Sequence, residues 1–328
     1  MKIADIFREL AMPEGNKSLL TAMLIPNAET SRIAKDSEGQ PVLLFALDTD
    51  TPGIKLRSYR LKYIEMIHNV TCHITESGMS ATHTFTLVRF TSQSERMQEY
   101  FLEYASSLVQ IIEGNPTVEV FSESIDMLVR IFGALSEPPT KNIRGLWAEL
   151  FIIDSSNDPT ILLSFWHAHP EQKFDFDAGT EKLEVKSSSS LERSHYFSSD
   201  QVNPAAREKI LIASVFVQQA NGDDGYSIND MINSISAKLH GNFELISKLS
   251  LIVAKTLGSS MESEIDTKLS YATAQQSLAF YNTDDIPKIL DAQISKDVSE
   301  VRFKSSLRYA KPTDVSAIAN KGRLWSAI

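Results

Sequence analysis

Asp175 is followed nine residues later by Glu184-Val185-Lys186, a spacing with chemical meaning if both stretches are extended. Side chains alternate along a strand, so Glu184 and Lys186 share one face while Val185 enters the opposite, apolar layer. A four-residue turn over 178–181 pairs Asp177 with Lys182 and sets Asp175 opposite Glu184, because both index pairs sum to 359. Two adjacent carboxylates repel unless a cation lies between them, and a small set of hard oxygen donors suits Mg²⁺, with Mn²⁺ as substitute. Lys186, one strand step along, is placed to orient a water at that cation or to help deprotonate it. Metal-assisted attack by water is the chemistry such a set supports.

A third carboxylate lies upstream. Ile143, Leu146, Leu150 and Ile153 form an apolar helical stripe, which puts Glu149 at its edge, half buried. Gly145, one turn earlier on the same side, leaves open space beneath that carboxylate. The elements that must hold these groups follow from periodicity. A helix is expected over about 142–154, a strand over Ile161 to Trp166, and strands over Gln172 to Asp177 and Lys182 to Ser187 flanking the turn. Lys209 to Val217 reads as the most buried strand, Ser227 to Thr256 as two helices broken near Gly241-Asn242, and 300–310 as a strand with bases outward. Upstream, an amphipathic start, strands at Pro41 to Leu47, within Lys55 to Ile74 and at Ala81 to Phe90, and helices from Ser94 to Gly114-Asn115-Pro116 and over Ser124 to Leu135 make a separate α/β block. Ser136-Glu137-Pro138-Pro139-Thr140-Lys141 reads as the linker. The expected division is therefore 1–137, of unassigned role in recognition or assembly, and 138–328, which carries the chemistry.

GLWAEL at 145–150, FDF at 174–176, LEVKS at 183–187 and the S-x-x-Q ending at Gln201 in YFSSDQV together resemble the PD-(D/E)XK nucleases. The chain is similar, within that superfamily, to an uncharacterised bacterial group found among phage-defence and restriction genes. The match is close over about 140–215 and looser elsewhere, and Phe174 stands where the nominal signature has Pro. The resemblance implies an α/β (α+β) fold, with a mixed sheet-and-helix domain followed by a restriction-endonuclease-like core whose central mixed sheet is flanked by helices. It also implies roles: Glu149 as helix acid, Asp175 and Glu184 as metal acids, Lys186 as catalytic lysine, and Gln201 at a family position without an assigned role. The implied activity is Mg²⁺-dependent endonucleolytic hydrolysis of double-stranded DNA in a restriction or defence system, alongside proteins of the same gene cluster, with homodimerisation left open.

Other readings bound this one. Asp177, two residues beyond Asp175 on the same face, is its rival as ligand. His167 and His169 alternate and could share a metal, but the following Pro170 makes them strand-end surface residues. His195 follows the Ser187 to Ser190 run and is a secondary candidate to approach a phosphate. Arg302, Lys304 and Arg308, at alternating strand positions, are expected to face nucleic acid together. No Ser-His-Asp arrangement, phosphate-binding Gly loop or dinucleotide fingerprint is legible. The single Cys72 excludes an internal disulfide framework and multi-cysteine zinc sites. No run approaches the roughly 18 apolar residues of a membrane span, and Asp5 interrupts any leader, so a cytoplasmic protein without membrane partner is expected. The 32 Lys and Arg against 42 Asp and Glu give a net charge of −10. That surplus favours the main alternative, a non-catalytic nuclease-fold subunit binding DNA or a partner protein; a nuclease for RNA or branched DNA is a third. The last segment is the exception, with seven bases (Lys296, Arg302, Lys304, Arg308, Lys311, Lys321, Arg323) against Asp297, Glu300 and Asp314.

Overall fold

A computed structural model describes residues 2–14, 19–46, 58–76, 79–115, 117–167, 172–220 and 225–328. Leu47, Lys55, Pro116, His169 and Pro170, singled out in the sequence, lie outside this set. The chain forms two compact units, one of 1–140 with 246–262 and one of 141–245 with 263–328. Both mix helices with sheet, giving an α+β protein. Among the described residues no helix is long and apolar enough to cross a membrane.

The first unit runs α1 (Ile3–Glu9), β1 (Leu20–Leu24), β2 (Arg32–Asp36), β3 (Pro41–Phe45), β4 (Tyr59–Arg60), β5 (Ile64–Glu76), β6 (Met79–Phe90), α2 (Glu95–Gly114) and α3 (Val118–Ala134). Its strands form one antiparallel sheet ordered β1-β2-β3-β6-β5-β4. The continuous run PVLLF is buried on both faces, as a central strand must be. Phe90 stacks on Phe101 at 4.9 Å and meets Phe132 edge-on, joining β6 to α2 and α3 through aromatic packing. The Tyr104 hydroxyl lies 3.1 Å from Ser247 Oγ, which ties the 246–262 segment to α2; burial pushes this phenol up to about 12.

The second unit carries α4 (Ile143–Ser155), α5 (Pro159–Phe165), β7 (Phe176–Asp177), β8 (Glu181–Ser188), β9 (Ser194–Ser198), α6 (Ser199–Val202), β10 (Lys209–Phe216), β11 (Gly225–Tyr226) and α7 (Ile228–Lys238). After α8 (Phe243–Leu257) and α9 (Met261–Glu264) come β12 (Leu269–Ser270), α10 (Tyr271–Ser277), β13 (Ala279–Asn282), β14 (Arg302–Ser306) and α11 (Arg323–Ser326). The central sheet is mixed, ordered β13-β10-β8-β7, with β10 parallel to β8 and the edge strands antiparallel. Leu183 and Val185 lie level with Leu211 and Ala213 and take the face covered by α4 and α10. Lys182, Glu184 and Lys186 take the other face, shared with the cluster of Phe174, Phe197, Ile210 and Ile212. The antiparallel ribbon β9–β14 packs its inner side chains into that cluster.

Two local expectations change. Ile161 to Phe165 is helical, in α5, with Trp166 as its extended C-cap, because Asp158 accepts the Ile161 N–H at 3.1 Å and Pro159 sits in the first turn. A short apolar run does not declare its period, and the capping signal decided it. The expected strand over 172–177 shrinks to Phe176–Asp177, bounded by a single bridge between Trp166 and Phe176. The C-terminal segment is held by Glu181, whose carboxylate accepts the N–H groups of Gly322 and, at 3.2 Å, Trp325. A Cβ at Gly322 would lie 2.6 Å from that carboxylate, so glycine is required by close approach.

Candidate metal-binding active site

The register of the turn puts Phe176 against Leu183 and Asp177 against Lys182. Because β7 begins only at Phe176, Asp175 stands just outside the ladder, and the Val185 N–H of β8 has no strand beside it there. The Asp175 carboxylate takes that place, accepting the Val185 N–H at 2.8 Å. Its own carbonyl accepts the His167 N–H at 3.1 Å. The edge of the sheet is thus open where Asp175 sits, and groups from both of its faces converge there.

Glu149 comes from the helical side. Leu146 to Asp154 of α4 is buried almost throughout, and Glu149 is 3% exposed, so it forms the floor of the site rather than a half-buried rim. Its Oε2 accepts the Trp166 Nε1–H at 2.8 Å and lies 2.8 Å from His167 Nε2. Among the described residues, and apart from its own helix backbone, no atom lies within 4 Å of a Cβ built at Gly145, consistent with open space before this carboxylate. Glu184 comes from the opposite face. Its Oε1 accepts from Lys186 Nζ at 2.8 Å and from Gln201 Nε2 at 2.6 Å, while Gln201 Oε1 accepts from Lys186 Nζ at 3.0 Å and from the Ser198 N–H at 3.2 Å. Gln201 therefore fixes the acid and the lysine together, held in turn by its place in the capping box of α6. That gives a physical role to a position that carried only a family pattern in the sequence.

Two residues enter that the sequence did not assign. Lys141, read as linker, places Nζ 2.9 Å from Glu149 Oε1, 3.2 Å from His167 Nε2 and 3.3 Å from Asp175 Oδ1. His167, read as a surface residue, has φ 42°, and its ring reaches Glu149 and lies 3.9 Å from Asp175. Neither shares a periodic pattern with the acids; the alternation of His167 with His169 suggests a metal ligand but is outweighed in the sequence by Pro170, and nothing in the sequence points to Lys141. Other candidates fall elsewhere. Asp177 is bound to Lys182 at 2.7 Å and caps the turn through the Gly179 N–H. His195 is buried on the inner side of the ribbon, 2.8 Å from Ser214 Oγ, and burial together with Lys186 and Arg193 pushes it down to about 4; it is neutral and faces no phosphate. Arg302 and Lys304 are exposed on β14, but Arg308 lies in the turn beyond the strand, against Tyr309.

The three buried carboxylates shift in different directions. Burial, then the charges of Glu149 and Glu184, holds the Asp175 carboxyl well above the usual range. Burial also raises Glu184 against the opposing pull of Lys186. Burial pushes Glu149 up too, but the His167 hydrogen bond and the Lys141 charge outweigh it and hold Glu149 low. Lys141 is raised, since Glu149 and Asp175 overcome the cost of its burial.

The residues present fit a divalent cation on three observations. Glu184 Oε2 is buried with no hydrogen-bond partner among the described residues. Ligand atoms of Glu149, His167 and Asp175 all lie within 4.8 Å of one another. The Lys141 ammonium already stands among those three as a positive group. Lys141→Ala is therefore expected to destabilise the metal-free protein by about 1–2 kcal/mol, a sum reduced by solvent screening of a side chain 39% exposed. Thermal unfolding in EDTA and in saturating divalent metal reads this out, with the deficit closing in metal; a deficit of the same size in both would assign Lys141 a purely structural part.

Glu149 and Asp175 thus come together with His167, while Glu184 and Lys186 form a pair of their own on β8, with the Glu184 charge felt at Asp175. Residues 3–308 match the model of the family described as "Putative PD-(D/E)XK family member, (DUF4420)". The chain belongs to this family. The match covers nearly the whole sequence, both units included, and is consistent with the nuclease-like mixed sheet of the second unit. No curated protein and no solved structure gives a significant match. In this DUF4420 chain the residues expected from the motifs are contacted by polar neighbours: Glu149 and Asp175 by Lys141, Glu149 also by His167, and Glu184 and Lys186 by Gln201.

Proposed function

We propose that this protein is a metal-dependent endonuclease that hydrolyses DNA phosphodiester bonds. The observation that carries the reading is the unpartnered, buried Oε2 of Glu184, a carboxylate whose charge is felt at Asp175 and whose neighbour Lys186 is already fixed by two acceptors. Asp175 and Glu184, with Glu149, would hold Mg²⁺ or Mn²⁺, and the His167 nitrogen favours Mn²⁺, which accepts imidazole more readily. A bound divalent cation supplies Lewis-acid charge against the phosphoryl group. The chain's own groups do the rest. Lys186 has three N–H donors and spends two on Glu184 and Gln201, which leaves the third to orient an attacking water. Being an ammonium, it serves by donating and by countering charge that grows on the phosphoryl oxygens. Trp166, 2.8 Å from Glu149, closes the apolar side of the site and keeps bulk water from that carboxylate.

A restriction or phage-defence setting, with duplex DNA as substrate and neighbouring gene products as partners, rests on the family resemblance. The test is incubation of the purified protein with methylated and unmethylated plasmid in Mg²⁺, Mn²⁺ or EDTA. Cleavage is expected in both metals, faster in Mn²⁺, and none in EDTA. Absence of cleavage in every metal, alone or with the neighbouring gene products, replaces this reading with that of a DNA- or protein-binding subunit on a nuclease fold.

A further inference from the structure

The ribbon β9–β14 has two unlike faces. Phe197 pairs with Phe303 and His195 with Ser305 across it, and these point into the core. Tyr196 pairs with Lys304 and Ser198 with Arg302 on the solvent side. Tyr196 is 69% exposed with Lys304 Nζ 5.7 Å from its ring centroid, and Tyr309, just past the strand, is 89% exposed with the Arg308 guanidinium 5.5 Å away. These are the two most exposed aromatic side chains among the described residues. Tyrosine gains free energy on burial, so a ring left in water on β9 and another in the turn after β14 are suited to a partner with flat apolar faces.

Charge narrows that partner. Arg302 to Lys311 holds four bases and no acid, in a chain whose net charge is −10. The neighbouring cavity of about 1120 Å³ runs from Lys186 and Gln201 at the acid site to Tyr196 and Arg302 on the ribbon. It exceeds the roughly 300–1,000 Å³ of small-molecule sites and fits a segment of polymer. Two of its acids are engaged, Asp200 with Lys173 and Asp291 with the Ser199 hydroxyl. In a duplex the base faces are stacked on one another and a protein ring meets only phosphate, sugar and base edges; in an unpaired strand each base offers a face to an exposed ring.

We infer that the β9–β14 ribbon and the turn after it bind an unpaired DNA strand, its bases stacked on Tyr196 and Tyr309 and its phosphates on Arg302, Lys304 and Arg308, and lead it to the Glu184–Lys186 site. The inference rests on the nuclease reading and narrows its substrate to DNA that presents a single-stranded segment. Binding of a labelled oligodeoxynucleotide of about 16 nucleotides, measured by fluorescence anisotropy in EDTA so that nothing is cut, is the test. The single strand should bind more tightly than the duplex of the same sequence or the matching RNA. Tyr196→Ala and Tyr309→Ala should each weaken single-strand binding about tenfold and leave duplex binding unchanged, while Tyr196→Phe keeps wild-type affinity. The triple replacement of Arg302, Lys304 and Arg308 by Ala should weaken binding and reduce its salt slope by about 2. Tighter binding of duplex or RNA, or alanine variants that bind as wild type does, overturns the inference. The two readings fail separately: a protein that cuts DNA but ignores both tyrosines keeps the nuclease and loses the ribbon, and one that holds single strands through them yet cuts nothing does the reverse.

Discussion

Glu184→Ala and Lys186→Ala are expected to stop cleavage for different reasons, and metal binding separates them. Each should lower the cleavage rate by about a hundred- to a thousandfold or more. Glu184→Ala also removes the buried, unpartnered oxygen, so calorimetric titration with Mn²⁺ should show a lost or much weakened site, as it should for Asp175→Ala. Lys186→Ala leaves every acid in place and should bind Mn²⁺ at least as well as wild type, because it removes a positive charge 2.8 Å from Glu184. Gln201→Ala belongs between them. It frees the acid and the lysine to move, so activity should drop while Mn²⁺ binding is largely kept. Wild-type cleavage by Lys186→Ala would end the nuclease assignment; unaltered Mn²⁺ binding by Glu184→Ala would move the metal away from β8.

The carboxylates should affect stability with opposite signs, although they share one site. Ionised Asp175 is held above its ordinary range in the folded protein, so its charge costs stability at neutral pH, and the cost disappears as pH falls through the folded value. Glu149 is held below its ordinary value of 4.5; its contribution is complete above that value and is lost as pH falls through the depressed one. Metal-free wild type should thus become more stable on acidification from neutral pH and lose stability only in the more acidic range where Glu149 protonates. At pH 7 in EDTA, Asp175→Asn should raise stability by about 1 kcal/mol, or roughly 2–4 °C in melting temperature, and flatten the acid-side rise. Glu149→Gln should lower stability by about 2–4 kcal/mol, since Lys141, His167 and Trp166 lose a charged acceptor. Saturating metal should reverse the order for Asp175→Asn, because wild type alone then gains the full binding energy. Parallel pH profiles for wild type and Asp175→Asn would remove the carboxylate repulsion from this account.

These outcomes share one cause. The acids are crowded in a buried site where Lys141 supplies only part of the opposing charge, and the mismatch appears as raised carboxyl groups and, among the described residues, an oxygen without a partner. The same mismatch is what a divalent cation relieves.

What the sequence determined by itself was local. Alternation placed Glu184 and Lys186 on one face of β8, and the hairpin arithmetic gave the Asp177–Lys182 register, because a strand has a period of two and a turn of known length leaves no freedom. The long helices α2, α4, α7 and α8 were legible in their apolar spacing, and the break at Gly241, with φ 79°, in its turn residues. Where length or capping outweighed periodicity, as in α5, the apolar run misled. Tertiary structure decided the rest. It started β7 one residue after Asp175 and so turned that side chain from a ladder position into a cap on Val185. It buried Glu149 fully, since α4 is covered on more than one side, and it brought Lys141 and His167 to the acids from segments 8 and 18 residues away from Glu149. It turned His195 inward and left Tyr196, its neighbour, in solvent beside Lys304. Periodicity reports which face a side chain takes within its own element. Which elements meet at that face is set by packing between residues distant in sequence, and the crowding of Glu149, His167 and Asp175 arises at that level.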